Sequence, residues 1–105
     1  LRREGSGATP VLSNGTLTLD PASRQASFLG ESAGLTAREF ALLQALLARP
    51  GSILSRGELE RRIYGWNEEV ESNAIEFLIH SIRKKLGATA IRNVRGVGWM
   101  VDRPS

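Results

Sequence analysis

The sequence contains no cysteine. That excludes a disulfide scaffold, a thiolate zinc site and a cysteine nucleophile, and it fits a reducing compartment. The single histidine, His80, excludes a multi-histidine metal centre and a catalytic histidine pair. No apolar run approaches the roughly 18 residues that span a bilayer, and no signal peptide opens the chain. A cytoplasmic location without membrane attachment is therefore expected. The acids cluster in Glu68, Glu69 and Glu71, a loop poorly suited to shifting a carboxyl pKa, so an enzyme is not expected and neither is a cofactor. The chain does not start with methionine, and we expect a piece of a longer protein.

What is present is the material of one ordinary domain. The 105 residues are 41% hydrophobic and 24% charged, close to the globular average, which argues against wholesale disorder. The formal net charge is +3, but it is unevenly spread. From Ser72 to Ser105 the basic residues Arg83, Lys84, Lys85, Arg92, Arg95 and Arg103 face only two acids, Glu76 and Asp102. The last third thus holds all the positive excess. A localised basic surface is the footprint of a phosphate-backbone binder; a solvated charged helix is the ordinary alternative.

The periodicity changes along the chain. Leu1 to Pro10 is polar and aperiodic and reads as a linker, with 11–105 forming the domain. Asn14-Gly15 between two apolar pairs predicts a hairpin. Leu17 and Leu19 alternate with threonines as in a half-buried strand, Asp20 to Ser23 reads as a turn, Gln25 to Leu29 as a strand, and Gly30 to Gly34 as another turn. Thr36-Ala-Arg-Glu39 and Ser55-Arg-Gly-Glu58 are capping boxes that open two helices. The first carries Phe40, Leu43, Leu46 and Leu47 at helical spacing; the second turns Leu59 and Ile63 inward. A third helix starts near Ser72 or Asn73 and runs to Leu86, with Gly87 as its stop. Ile91 to Val101 reads as a hairpin with Arg95-Gly96-Val97-Gly98 at its tip. Sheet, three helices and hairpin define an α+β fold: a winged helix-turn-helix.

At about 100° per residue, Ile75, Ile79, Ile82 and Leu86 form the buried stripe of the third helix. The opposite face then carries Asn73, Phe77, His80, Ser81 and Lys84, with Glu76 and Arg83 on one shoulder and Leu78 and Lys85 on the other. Asparagine, histidine, serine and lysine suit base edges and phosphates, and phenylalanine suits a thymine methyl. Phe77 also has a competing place, packed on the Trp66 loop or on a partner. Arg92 and Arg95 sit on the hairpin with Gly96 and Gly98 at its tip, glycines that permit positive φ and close backbone approach, and Arg95 at a narrow tip has the shape for a minor groove. Trp99 and Val101 share the core-facing side.

These features together resemble the OmpR/PhoB-type winged-helix effector domain of two-component response regulators. The resemblance is carried by Leu35 to Leu43 (LTAREFALL), Ser55 to Leu59 (SRGEL), Tyr64-Gly65-Trp66, Ser72 to Glu76, His80 to Gly87 and Ile91 to Trp99, and it covers about Val11 to Val101. It implies a four-stranded N-terminal sheet, a third helix reading the major groove and a wing arginine in the minor groove. Site residues follow position by position: Asn73, Phe77, His80, Ser81, Arg83 and Lys84 on the recognition helix, with Lys85 as a further phosphate contact, and Asn93, Arg95 and Gly96 on the wing. It also implies binding to tandem direct repeats of double-stranded DNA as a head-to-tail dimer that is a monomer when free. The loop with Trp66, Asn67, Glu68 and Glu69 would meet RNA polymerase. A receiver domain with a phosphorylatable aspartate would precede Leu1 and answer to a sensor kinase. The chain departs from the family where many members have arginines, at His80 and Ser81, or a smaller residue, at Phe77, so no base preference carries over. Trp99 replaces a commoner tyrosine. The rival expectation is a winged helix used for protein or RNA contact, which predicts no sequence preference and a flat dependence on salt.

Overall fold

A computed structural model describes residues 11–65 and 73–103. The expected linker (1–10) and all four residues expected to meet polymerase, Trp66 to Glu69, lie outside the described residues. The element order is β1 (Leu12–Ser13), β2 (Leu17–Asp20), β3 (Gln25–Phe28), β4 (Glu31–Gly34), α1 (Ala37–Leu47), α2 (Arg56–Tyr64), α3 (Ala74–Leu86), β5 (Arg92–Val94) and β6 (Gly98–Met100). Strands β1 to β4 form an antiparallel sheet in sequence order, and β5 and β6 form the wing.

The alternation in β2 does what its pattern dictates: Leu17 and Leu19 are fully buried while the threonines between and before them face outward. Leu17 pairs with Phe28 and Leu19 with Ala26, so one face of β2–β3 packs onto the helices. Leu42, Leu43, Leu46 and Leu47 of α1 meet it with Leu59 of α2 and Ile75, Leu78, Ile79, Ile82 and Leu86 of α3. Ile91 and Val101 close the core from the wing side, and Phe40, Ile63 and Trp99 pack half-buried against its edge. Both capping boxes are formed: Thr36 accepts from the Glu39 amide and Ser55 from the Glu58 amide, and each glutamate reaches back to the cap. Those reciprocal bonds satisfy amides that α1 and α2 would otherwise leave orphaned.

One reading of the sheet is corrected, and the predicted hairpin at Asn14-Gly15 is formed. The expected turn from Gly30 to Gly34 is strand β4, with Phe28 paired to Glu31 and Gln25 to Gly34. Glu-Ser-Ala-Gly carries no apolar alternation because β4 is a largely exposed edge strand. The true turn is Leu29-Gly30, with φ of 50° and 91°, the left-handed pair of a type I′ connection. The Asn14-Gly15 signal marks a real connection between β1 and β2, but not through a left-handed asparagine. Asn14 is buried and its Oδ1 accepts the amides of Leu17 (2.8 Å) and Thr16 (3.2 Å), while Nδ2 donates to the Asp102 carbonyl (2.9 Å). This one amide shapes the turn and ties the sheet to the chain leaving the wing.

Candidate nucleic-acid interface

Helix α3 begins at Ala74, one or two residues after its expected start. Asn73 is its N-cap residue but makes no side-chain capping bond, so its amide group is left for other work. The buried arc of the helix is wider than the four-residue stripe, because Leu78 is also buried. Where α1 crosses this flank, Glu39 is 3% exposed and collects polar groups from α3. The Ser81 hydroxyl donates to its Oε2, and Lys85 Nζ donates to its Oε1 at 2.6 Å and to the Gly34 carbonyl at 3.2 Å. Burial pushes the Glu39 carboxyl pKa up, but the bonds from Lys85, Ser81 and the Thr36 amide outweigh it and hold the group below the usual carboxylate range.

Ser81 is thus half-buried and tied to Glu39 and does not lie on the fully exposed face where the helical period puts it, and Lys85, expected at a phosphate, is engaged with the same buried acid. Arg83 is also committed. Its Nε and Nη2 donate to the Ile91 carbonyl at 3.2 and 2.7 Å, which anchors α3 to the root of the wing. What remains outward is Asn73, Phe77, His80 and Lys84, all exposed and confined to a strip about 60° wide at helical spacing. Phe77 is 67% exposed, and the Trp66 loop named as its other neighbour lies outside the described residues.

The wing is a tight hairpin with Arg92 opposite Met100, Asn93 opposite Trp99 and Val94 opposite Gly98. Its tip is Arg95-Gly96-Val97, closed by the Val97 amide on the Val94 carbonyl (2.9 Å), with Gly96 at φ 76°. Arg95, Asn93 and Gly96 are exposed as expected, and Val97 joins them at 55%. Gly98 does not belong to the tip. Leu54 and Trp99 exchange both backbone hydrogen bonds at 2.9 Å, adding a third short rung to the wing, and a Cβ on Gly98 would collide with the Leu54 carbonyl. At the base, Arg92 Nε sits 2.5 Å from Asp102 Oδ1.

The helix and wing converge on one cleft of about 420 Å³, lined by Arg56 at the start of α2, Glu76 in the first turn of α3, and Asn93, Val94 and Gly96 to Trp99 of the wing, but not by Arg95. Arg56 and Glu76, joined by an ion pair across this cleft, were not legible as a site; the SRGE spacing marked only a helix start. The described residues contain no group of three metal-ligating side chains and no helix long and apolar enough to cross a membrane.

A small core, three helices and a hairpin wing define a winged-helix DNA-binding domain of the response-regulator type. Residues 30–101 match the family model of the C-terminal domain of transcriptional regulatory proteins, and the chain belongs to that family. The response regulator protein PmrA of Pseudomonas aeruginosa is 48% identical over 99% of this chain and 47% of its own length. The transcriptional regulatory protein QseB of Escherichia coli O157:H7 is 42% identical over 94% of this chain and 45% of its own. This chain thus spans about half the length of these relatives. Among solved structures, the DNA-binding domain of Escherichia coli CpxR superposes with a TM-score of 0.73 at 30% identity, over 92% of this chain and all of that one. The Klebsiella pneumoniae RstA DNA-binding domain, solved in complex with the RstA box, gives 0.73 at 29% identity over 90% and 98% of the two chains. The chain is a DNA-binding domain for transcription regulation, not an enzyme.

Proposed function

We propose that α3 enters the major groove and the wing the adjacent minor groove of a sequence-specific site. The observation that carries this is the strip of Asn73, Phe77, His80 and Lys84, fully outward on a helix whose first turn shares a cleft with the wing. Asn73 and His80 supply hydrogen bonds to base edges, Phe77 an apolar contact for a thymine methyl, and Lys84 a phosphate or guanine contact. Arg95 reaches into the minor groove, with Asn93 and the Gly96 backbone against its walls. Arg83 keeps one guanidinium nitrogen for a phosphate while it anchors the wing.

In this reading two copies occupy tandem direct repeats head-to-tail and the free domain is a monomer. The segment with Trp66, Asn67, Glu68 and Glu69 meets RNA polymerase. A receiver domain, phosphorylated by a sensor kinase, controls the assembly in the cytoplasm. The test is selection from random duplex DNA at about 150 mM salt, followed by anisotropy over a salt series. Enrichment of spaced direct repeats, with log K falling linearly in log salt, is the expected result. No enrichment by either this chain or a longer protein that includes the receiver, with a flat salt dependence, refutes it and favours protein or RNA contact.

A further inference from the structure

We propose that His80 meets DNA as an imidazolium cation, so that binding takes up a proton and the domain holds its site more tightly on the acid side of neutrality than on the alkaline side. This rests on the groove assignment above and adds the charge state in which one of its residues works.

The sequence isolates the group. Histidine is the side chain that ordinarily changes charge between about pH 5 and 8; the chain has one, and it has no cysteine. The carboxyls of Glu39, through the bonds described above, and of Glu58, through its hydrogen bonds with the backbone and side chain of Ser55, move down, away from that interval. The fold then puts the one histidine on the outward strip of α3, exposed, one turn after Glu76 and one turn before Lys84.

The acids that could hold a cation there are already committed. Glu76 is paired with Arg56 of α2. Glu39 of α1 is held by Lys85 and Ser81, and Arg38 of α1 lies over the Tyr64 ring of α2. Strand β3 carries no charged residue, and the one acid of β4, Glu31, stands at the opposite end of that strand from the Gly34 carbonyl that Lys85 meets. Asp102 is paired with Arg92 at the base of the wing. Among the described residues the free domain therefore offers the ring no carboxylate, and Lys84 is a like charge one turn away. In the groove the surroundings reverse. Phosphate oxygens, guanine N7 and O6, adenine N7 and thymine O4 are all acceptors. A neutral ring offers them one N–H and turns a lone pair toward a polyanion; the imidazolium offers two N–H donors and a positive charge. The proton comes from solvent and adds to the unprotonated ring nitrogen. A group that holds its proton more tightly in the complex than in the free protein makes affinity rise as pH falls.

The experiment uses the 105-residue chain and a rhodamine-labelled duplex enriched by the selection above, read by anisotropy from about pH 6 to about pH 8 at about 150 mM salt. The parent is expected to bind roughly three- to ten-fold more tightly at the acid end, the effect of raising one group's proton affinity by up to about one unit. Its log K against log salt slope should be steeper there by up to about 0.9, the share of one added cation. Calorimetry in buffers of different ionisation enthalpy should show uptake of a fraction of one proton per chain bound. His80→Gln, its fold checked by circular dichroism, should lose the pH dependence and the proton uptake together; whatever the terminal amine contributes is common to both chains. A flat parental profile overturns the proposal. So does affinity that falls as pH falls, which would mean that the neutral ring accepts a bond, as from an adenine amino group. A pH dependence that survives in His80→Gln overturns it too. A selection that enriches no duplex refutes the groove reading itself before any pH series is run, so the two failures are distinguishable.

Discussion

Replacing Glu39 tests the tie between α1 and the recognition helix most directly. Its side chain is 3% exposed, and its carboxylate accepts from the Thr36 amide (2.9 Å), the Ser81 hydroxyl and Lys85 Nζ (2.6 Å). Removing one member of a buried ion pair costs about 3–5 kcal/mol when the other charge is stranded. Lys85 is not stranded: its side chain is 33% exposed and can turn to water, so the electrostatic part must be discounted. Glu39→Gln keeps an acceptor for the Thr36 amide but weakens two charge-assisted bonds, and should cost about 1–2 kcal/mol. Glu39→Ala also removes half of the capping box and opens a gap under α3, and should cost about 2–4 kcal/mol. Against a total stability of about 5–15 kcal/mol for a chain this size, these losses are large. Urea unfolding monitored by circular dichroism reads them, and the pH dependence supplies the sign. The Glu39 pKa is lowered in the folded state, so its contribution is complete above the unfolded carboxyl value of about 4.3. It fades as pH falls through the lower folded value. The stability difference between the parent and Glu39→Gln should therefore be full near neutrality and shrink below about pH 4.3. A difference of zero at neutral pH, or one that persists unchanged after Glu39 has been protonated, would refute the reasoning.

Three further outcomes follow from single residues. Gly98→Ala drives a methyl into the Leu54 carbonyl and should cost about 1–3 kcal/mol by urea unfolding, with loss of hydrogen-exchange protection at the Leu54 and Trp99 amides; unchanged protection would show that the third rung of the wing is not formed. Leu29→Asn should raise stability by about 0.5–1 kcal/mol, because Leu29 is 68% exposed at φ 50° and asparagine before glycine suits a type I′ turn; a lower melting temperature would mean that Leu29 makes contacts its exposure does not reveal. On a selected duplex, Phe77→Ala and Arg95→Ala should each weaken binding by about 1–3 kcal/mol, whereas Ser81→Ala should lower the melting temperature and leave affinity close to the parent. Equal affinity losses for all three would return Ser81 to the base-reading face.

How legible these features were depended on how local their causes are. The two capping boxes, the β2 alternation and the stripe from Ile75 to Leu86 are set by neighbours three or four residues apart, or two apart in a strand, so the sequence displays them. Strand β4 was missed from periodicity because an exposed edge has no apolar alternation to show; only the family resemblance implied it. The site divided along the same line. Asn73, Phe77, His80 and Lys84 point outward because the helical period says so. The period puts Ser81 on the exposed face and Lys85 on its shoulder, and both turn instead toward α1. Their direction was decided by a carboxylate 42 and 46 residues earlier in the chain. Glu39 itself was read as a cap, which it is, but burial and two extra donors give it a second role that no local spacing announces. Arg56 and Glu76 are likewise 20 residues apart and meet only because α2 and α3 bring their first turns together.

The polar residues of α3 thus fall into two groups with opposite duties. Ser81 and Lys85 hold one flank of the helix to α1 and β4 through Glu39 and Gly34. Arg83 holds the other to the wing root through Ile91, and Glu76 ties the first turn to α2 through Arg56. A helix presents a new face for every residue of rotation, about 100°, so a reading strip only 60° wide is useful only if rotation about the axis is prevented. Ties on both flanks and at the N-terminal end prevent it before DNA arrives. The strip and the wing tip are then presented in one fixed relation, and little ordering is left to oppose binding. The same commitment explains why formal charge overstates the free cations on this helix. Of Arg83, Lys84 and Lys85, only Lys84 is without an internal partner among the described residues. In the proposed complex, phosphate contacts therefore draw also on residues beyond α3, with Arg95 at the exposed wing tip among them.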